Sequence, residues 1–279
     1  MEFRSYYLDT PLVSGRVFDV FAPERVTRDT AVFFVHGGGW SSGSRVTYHL
    51  LMQELNSLGF LCASTDYRLA SSVRYAGGAG VTAVTQLGDI REAYSAFASQ
   101  LEAAGRPVKI AVFGSSSGAH LAALLALAPP GACGETLPAG LRWVKPVKAI
   151  LQATPISMEP WEDIFPQIWE GMQHAACGWR YEDNPEIFRK LSPQTYLAPD
   201  NPPCFFIEAG NEHMFMPEAT LRFAEEQWKL GVKSVWKKYP MAEHGFLYAV
   251  RYPVQKRAFA DMVRFLADEE IPGASAGNV

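Results

Sequence analysis

The sequence predicts an α/β fold: a mostly parallel, doubly wound sheet with an antiparallel N-terminal edge and a small inserted lid. Three observations lead there. Short, nearly all-apolar runs alternate with helical patterns along most of the chain, and strands that are apolar on both faces need helices on both faces. The first two extended segments instead alternate polar and apolar residues, with no helix between them. Residues 155–195 break the alternation and are dense in aromatic residues. A chain of 279 residues, 48% hydrophobic, can bury roughly three quarters of its unfolded surface. Residues 1–279 therefore read as one domain carrying the lid at about 155–195.

Each element follows in order. "RSYYLDT" (4–10) and "GRVFDVFAP" (15–23) form the expected edge hairpin. "AVFFV" (31–35) is the first buried strand, and "SRVTYHLLMQELNSLG" (44–59) is a helix capped by Gly59. "FLCASTD" (60–66) is a strand, and "LGDIREAYSAFASQLEAAG" (87–105) is a helix ending at Gly105. "VKIAVF" (108–113) is a strand running into "GAHLAALLALA" (118–128), a helix apolar on every side and hence buried. "VKAILQA" (147–153), "CFFIEA" (204–209) and "SVWKKY" (234–239) complete the strands. The last two helices, 217–231 and 253–270, each open on a proline at the first turn, where its missing N–H costs nothing. The tail "PGASAGNV" is expected to fray.

Composition narrows the class. The net charge is −4 and no basic run occurs, so nothing favours nucleic acid or an anionic membrane. The longest apolar run, "AHLAALLALA", is too short to span a bilayer. The N-terminal residues lack a charged-then-apolar targeting pattern, and the four cysteines are scattered without a CxxC pair. A cytoplasmic protein with reduced thiols is expected. Oligomeric state is open, with a homodimer among the options. There is no HExxH, no His/Cys cluster and no P-loop, so neither metal nor cofactor is expected. Gly78-Ala79-Gly80-Val81-Thr82-Ala83 fits a dinucleotide-binding pattern but follows a loop, and no acidic residue lies at 98–101 to hold a ribose.

The chemistry centres on "VFGSSSGAH" (112–120), the joint between a buried strand and a buried helix. Gly114-x-Ser116-x-Gly118 is the pattern of a sharp strand-to-helix turn that lifts a serine hydroxyl off the sheet. The chain crosses itself there, so the positions two before and two after must lack bulk. Only Ser116 has glycine at both, since Ser115 is flanked by Phe113 and Ser117, and Ser117 by Ser115 and Ala119. Ser116 is therefore the predicted nucleophile. It needs a base and an anion site. "AVFFVHGGGW" runs from a strand into His36-Gly37-Gly38-Gly39-Trp40, where successive glycines can point N–H groups at an oxyanion. Gly38, Gly39 and Ser117 are the expected donors, and His36 a structural hydrogen-bonding residue.

In a serine-acid-histidine chain order the base follows Ser116. His36 and His49 precede it, and His120 is too local to reach the hydroxyl. His174 lies in the insertion, and His213 follows the strand expected to supply the acid. His244, in "YPMAEHGF" after the last strand, remains. For the acid, Glu212 emerges just past the strand "CFFIEA". Glu208 lies inside that strand, Asp200 precedes it, Asp163 and Asp183 belong to the insertion, and Glu243 adjoins the histidine too closely to align with its ring.

Taken together, HGGGW, Asp66-Tyr67-Arg68-Leu69-Ala70, GSSSG and Glu243-His244-Gly245-Phe246 resemble the α/β-hydrolase superfamily. The similarity is greatest to hormone-sensitive-lipase-like enzymes and small carboxylesterases, and spans about residues 15–270. The resemblance implies the α/β-hydrolase fold, with the DYRLA segment packed beside the glycine loop. The family usually carries an aspartate in a G-x-D turn, where this chain has Gly210-Asn211-Glu212. Its larger N-terminal cap has no counterpart here, which leaves 155–195 as the lid. Trp40, Trp161, Phe165 and Trp169 are the expected walls of the substrate pocket. The implied activity is serine-dependent hydrolysis of a small-molecule ester, with a small or aromatic acyl group or a lactone, through an acyl-enzyme. The alternatives are an amidase or arylformamidase using the same residues, or a non-hydrolytic biosynthetic or binding protein on this scaffold.

Overall fold

The computed structural model describes residues 2–8, 16–70, 77–137 and 139–275. Eight strands form one sheet in the order β1-β2-β4-β3-β5-β6-β7-β8. They are β1 (Glu2–Tyr7), β2 (Val17–Ala22), β3 (Thr30–Val35), β4 (Cys62–Thr65), β5 (Lys109–Ser115), β6 (Lys148–Gln152), β7 (Cys204–Asn211) and β8 (Val235–Glu243). β2 pairs antiparallel with both β1 and β4, and every pairing from β4 onward is parallel. The expected N-terminal edge is thus present, and β2 alone runs against the rest. Its connection, residues 9–15, lies outside the described residues.

Apolar side chains on the two faces form two cores. One packs β3, β5 and β6 against α2 (Ala83–Ala103) and α3 (Ser117–Leu127), and is joined by Phe223 and Ala224 of α6 (Pro217–Lys229). The other packs the opposite face against α1 (His49–Ser57) and α7 (Pro253–Leu266). All eleven residues of α3 are buried, as its unbroken apolar sequence requires. Among the described residues no helix is long and apolar enough to cross a membrane, and the four cysteines are buried and unbridged.

Several boundaries differ from expectation. The helix expected over 44–59 is a 3₁₀ turn at Arg45–Tyr48 followed by α1. The turn forms where Arg45 is held by Asp19 and Asp66, which bond its side chain at 2.8 and 2.5 Å. α2 begins at Ala83, four residues before the expected start. β8 continues to Glu243, with a register shift opposite Ala209 and Asn211 and a positive φ of 61° at Met241. Gly210 permits this approach, since a Cβ there would lie 2.9 Å from Pro240 Cα. The tail is not wholly frayed: Ser275 forms a β-bridge with Trp236, and residues 276–279 lie outside the described set.

The chain leaves β3 for β4 on one side and returns to β5 on the other. Crevices at the carboxyl ends of strands beside such a reversal are where α/β sheets bind ligands. The glycine loop follows β3, and Ser116 follows β5.

Candidate active site

Ser116 sits between β5 and α3 with φ 56° and ψ −127°, a conformation rarely adopted by residues with a side chain. Its neighbours explain why it persists. A Cβ on Gly114 would collide with the Gly118 carbonyl, and one on Gly118 with the carbonyls of Val35 and His36. The Ser116 N–H donates to Gln152 O at 2.9 Å, and Ser116 O accepts from His120 N at 3.0 Å. Ser117 opens α3, so its N–H has no intrahelical partner and lies at the positive end of the helix dipole.

The glycine loop is fixed by its own turn. Gly38 O accepts from Ser41 N at 3.2 Å, from Ser42 N at 3.0 Å and from Ser42 Oγ at 2.8 Å. His36 is fully buried, pairs through Nδ1 with Gly37 O at 2.9 Å and stacks on Tyr67 at 4.1 Å between centroids. Burial lowers its pKa below the usual imidazole value. Tyr67 donates to His36 O at 2.7 Å, and Ala70 N to Trp40 O at 2.8 Å. The DYRLA segment therefore braces the glycine loop, as the resemblance implies. Trp40 donates from Nε1 to His120 Nδ1 at 3.2 Å, and His120 Nε2 donates to Leu191 O at 2.6 Å. With both nitrogens occupied and burial lowering its pKa to about 4, His120 is a neutral strut.

Glu212 lies one residue past β7 and His244 one residue past β8, on neighbouring strands. The Glu212 carboxylate meets His244 Nδ1 at 2.8 Å (Oε2) and 3.0 Å (Oε1). Its Oε1 also accepts from the N–H groups of His213 at 3.1 Å and Met214 at 2.8 Å. Burial pushes this carboxyl upward, but the bond and charge of His244 and the nearby N–H groups of Met214 and Phe215 outweigh it, so its pKa lies below the usual carboxylate value. With Nδ1 taken, Nε2 is the ring nitrogen left for proton transfer. No hydrogen bond joins His244 to Ser116 in this structure. The other weighed acids are elsewhere: Glu243 bonds Asn211 at the surface, Asp200 pairs with Lys145 at 2.7 Å, and Glu208 is buried against Thr220.

Ser116 and His244 line one cavity of about 520 Å³. Gly37, Gly38, Gly39 and Trp40 form one wall, and Thr47, Tyr48 and Ser115 a second. Met214, Phe215, Gly245 and Tyr248 stand on the His244 side, and Gln167, Ile168 and Gly171 come from the insertion. Of the four expected pocket residues only Trp40 lines it. Trp161 stands one ring away, 6.5 Å from Phe215. Trp169 packs on Tyr181 and Phe188, and Phe165 is exposed. The reason is helical phase. In α4 (Pro166–Gly171) residues 167, 168 and 171 share a face, which leaves Trp169 pointing into the core of the insertion. Tyr48, Phe215 and Met214 were not foreseen, because each lies in a segment whose sequence reads as helix or loop. Gly78 of the dinucleotide-like pattern packs instead beside Trp179. Among the described residues no cluster of His, Cys, Asp or Glu is placed to hold a metal ion.

Esterase LipQ of Mycobacterium tuberculosis (strain ATCC 25618 / H37Rv) is 29% identical over 252 residues, covering 87% of this chain and 55% of the relative. Esterase LipC of the same organism is 26% identical over 253 residues, covering 87% and 59%. The chain thus spans little more than half the length of these curated relatives. Among solved structures, an esterase of Thermogutta terrifontis, Est2 with propionate bound, superposes with a TM-score of 0.70 at 20% identity, over 90% of this chain and 89% of that one. The tabun-phosphoramylated form of that organism's esterase 2 gives 0.73 at 19% identity, over 96% and 94%. These structures share the fold. A sequence model of the BD-FAE family matches residues 18–226, so the chain belongs to the BD-FAE family.

Proposed function

We propose that the protein is a serine hydrolase of neutral carboxylic esters, acting through an acyl-enzyme. One observation carries the reading: a buried carboxylate holds Nδ1 of His244 in a cavity that also presents Ser116 in a strained strand-to-helix turn. In this reading His244 Nε2 takes the Ser116 proton as Oγ attacks the acyl carbon. The tetrahedral oxyanion is held by N–H groups of Gly38, Gly39 and Ser117. His244 returns the proton to the departing alkoxide, and water repeats the sequence to release the acid. Glu212 keeps the imidazole in the required tautomer and stabilises its protonated form. The missing Ser116–His244 bond is compatible with this course, since catalytic hydrogen bonds often tighten only with substrate bound.

Among the described residues, His244 is the one ionisable wall residue besides buried Tyr48 and the exposed Tyr248, and no Asp, Glu, Lys or Arg lines the cavity. An uncharged substrate with a small or aromatic acyl group, or a lactone, suits such walls. The relatives named esterases support the same reading, and Thermogutta terrifontis esterase 2 is phosphorylated by paraoxon. The test is paraoxon or a fluorophosphonate with p-nitrophenyl esters. One label per chain on Ser116, with Ser116→Ala inactive and Ser115→Ala and Ser117→Ala retaining much of the activity, is expected. A folded protein that is inert to the reagents and hydrolyses no ester, lactone or arylformamide would favour a binding role on this scaffold.

A further inference from the structure

Between the strand that presents Ser116 and the strand that presents Glu212 lies β6, whose last residue no step above uses. Gln152 is fully buried at the carboxyl edge of the sheet, paired in register with Ser115. It closes the strand "KAILQ" after three apolar residues, Ala149, Ile150 and Leu151. A primary amide in that position must satisfy both ends or cost the strand dearly.

Both of its groups are used. The backbone carbonyl accepts the Ser116 N–H at 2.9 Å. The side-chain amide has one orientation that satisfies its neighbours: its nitrogen lies 3.0 Å from Ser115 Oγ, and its oxygen accepts from Leu247 N at 2.9 Å and Phe246 N at 3.2 Å. Phe246 and Leu247 follow directly on His244-Gly245, where Gly245 turns the chain with a positive φ of 69°. One residue therefore grips the turn holding the nucleophile and the loop holding the base. Immediately after it, Ala153 takes a positive φ of 49° and its N–H bonds Ile207 O on β7 at 3.1 Å, which pins the end of β6.

We infer that Gln152 is a positioning residue, setting the His244 loop against the Ser116 turn so that Nε2 and Oγ come into reach when substrate binds. The inference rests on the serine-hydrolase reading above. Its physical basis is that Ser116 and His244 are not bonded to each other in the free protein, so their relative placement depends on what holds the two loops. Displacement by about 1 Å in such a pair costs on the order of 10²-fold in rate.

The test uses Gln152→Leu and Gln152→Glu, assayed on one p-nitrophenyl ester and by hydrogen–deuterium exchange of the peptide over 244–248. Gln152→Leu removes the acceptor of the Leu247 N–H and one of two acceptors of the Phe246 N–H, which also donates to Glu243 O at 3.2 Å. It should lower kcat by roughly 10- to 100-fold, change KM less than about threefold, and speed exchange at 247. Gln152→Glu keeps an acceptor for both, and should restore slow exchange and most of kcat. A folded Gln152→Leu protein with normal kcat, or with reduced kcat but unchanged exchange at 247, overturns the inference. If Gln152→Leu does not fold, Gln152→Glu decides alone: slow exchange with kcat within about tenfold of wild type upholds it, and anything else sinks it. Failure of the underlying reading looks different, because the wild-type protein would then be inactive or Ser116→Ala active.

Discussion

Glu208 and Glu212 lie four residues apart at the end of one strand, and their surroundings give them opposite charge states. Glu212 faces an imidazole and backbone N–H groups, which hold it ionised. Glu212→Gln keeps the shape but loses the charge, and kcat should fall roughly 10²- to 10⁴-fold with little change in KM. Glu212→Asp should remain partly active, and steady-state kinetics on one ester compare the three. If Glu212→Gln turns over normally while an Asp163 or Asp183 variant does not, the acid comes from the insertion. Glu208 is buried, with Thr220 Oγ1 at 2.6 Å. Burial, aided by the charges of Glu212 and Glu218 and opposed by the Thr220 bond, pushes its pKa up to about 8. A carboxyl raised on folding stabilises fully below its unfolded value, and that contribution is lost as pH rises through about 8. Across that window wild-type stability should fall relative to Glu208→Gln by up to about 1.4 kcal/mol per pH unit. Urea denaturation of both proteins from pH 5 to 9 measures it; parallel curves would mean that Glu208 is ionised in the fold. Ester hydrolysis by Glu208→Gln should be near normal.

At the scale of the element, the turn between β5 and α3 was legible because its constraint is local. Two glycines flank one serine, and the crossing backbones leave no space for a Cβ. Gly118→Ala would drive that atom into the carbonyls of Val35 and His36. It should destabilise the fold by about 3 kcal/mol and abolish labelling of Ser116, as judged by thermal unfolding and a fluorophosphonate. A soluble, fully labelled Gly118→Ala protein would refute the close crossing. The insertion was legible only as a break in pattern. Its aromatic residues looked like pocket walls, but in α4 and its π-helical continuation (Met172–Cys177) the phase sends Trp169 to Tyr181 and Phe188, and Gln167, Ile168 and Gly171 to the cavity. Which face of so short a helix meets the site depends on what it packs against.

At the scale of the molecule, the sheet order brings β3 beside β5 and β7 beside β8, so residues up to about 200 positions apart in sequence share one crevice. The rest of the fold holds that edge in place, and one buried ion pair illustrates how. Arg91 of α2 and Glu135, both with fully buried side chains, meet at 2.7 Å. Arg91 also donates to Ala128 O at 2.8 Å, and Glu135 accepts from Gly131 N at 2.9 Å and Cys133 N at 3.1 Å. The pair fastens the segment after α3 to α2, on the sheet face that α3 covers. Breaking it by Arg91→Ala leaves an uncompensated carboxylate and should cost about 3–5 kcal/mol. Replacing both partners, Arg91→Met with Glu135→Gln, should cost much less. Chemical denaturation of the two variants compares them, and equal losses would show that packing rather than charge is what Arg91 supplies.

By itself the sequence determined the strands and helices outside the insertion, the single serine able to occupy the turn, the glycine loop, and the histidine and glutamate at successive strand ends. Each of these follows from a constraint written within a few residues: apolar periodicity, the absence of a Cβ, or position just past a strand. Tertiary structure alone decided the rest. It set the strand order that makes β3 and β5 neighbours, the β8 bulge that brings His244 to Glu212, the walls of the cavity, and the use of Gln152 as a link between two loops. These depend on which surfaces meet, and contacts between segments far apart in the chain leave no periodic trace in it. The polar residue closing the apolar run "AIL" was the one local sign that something would meet Gln152 there.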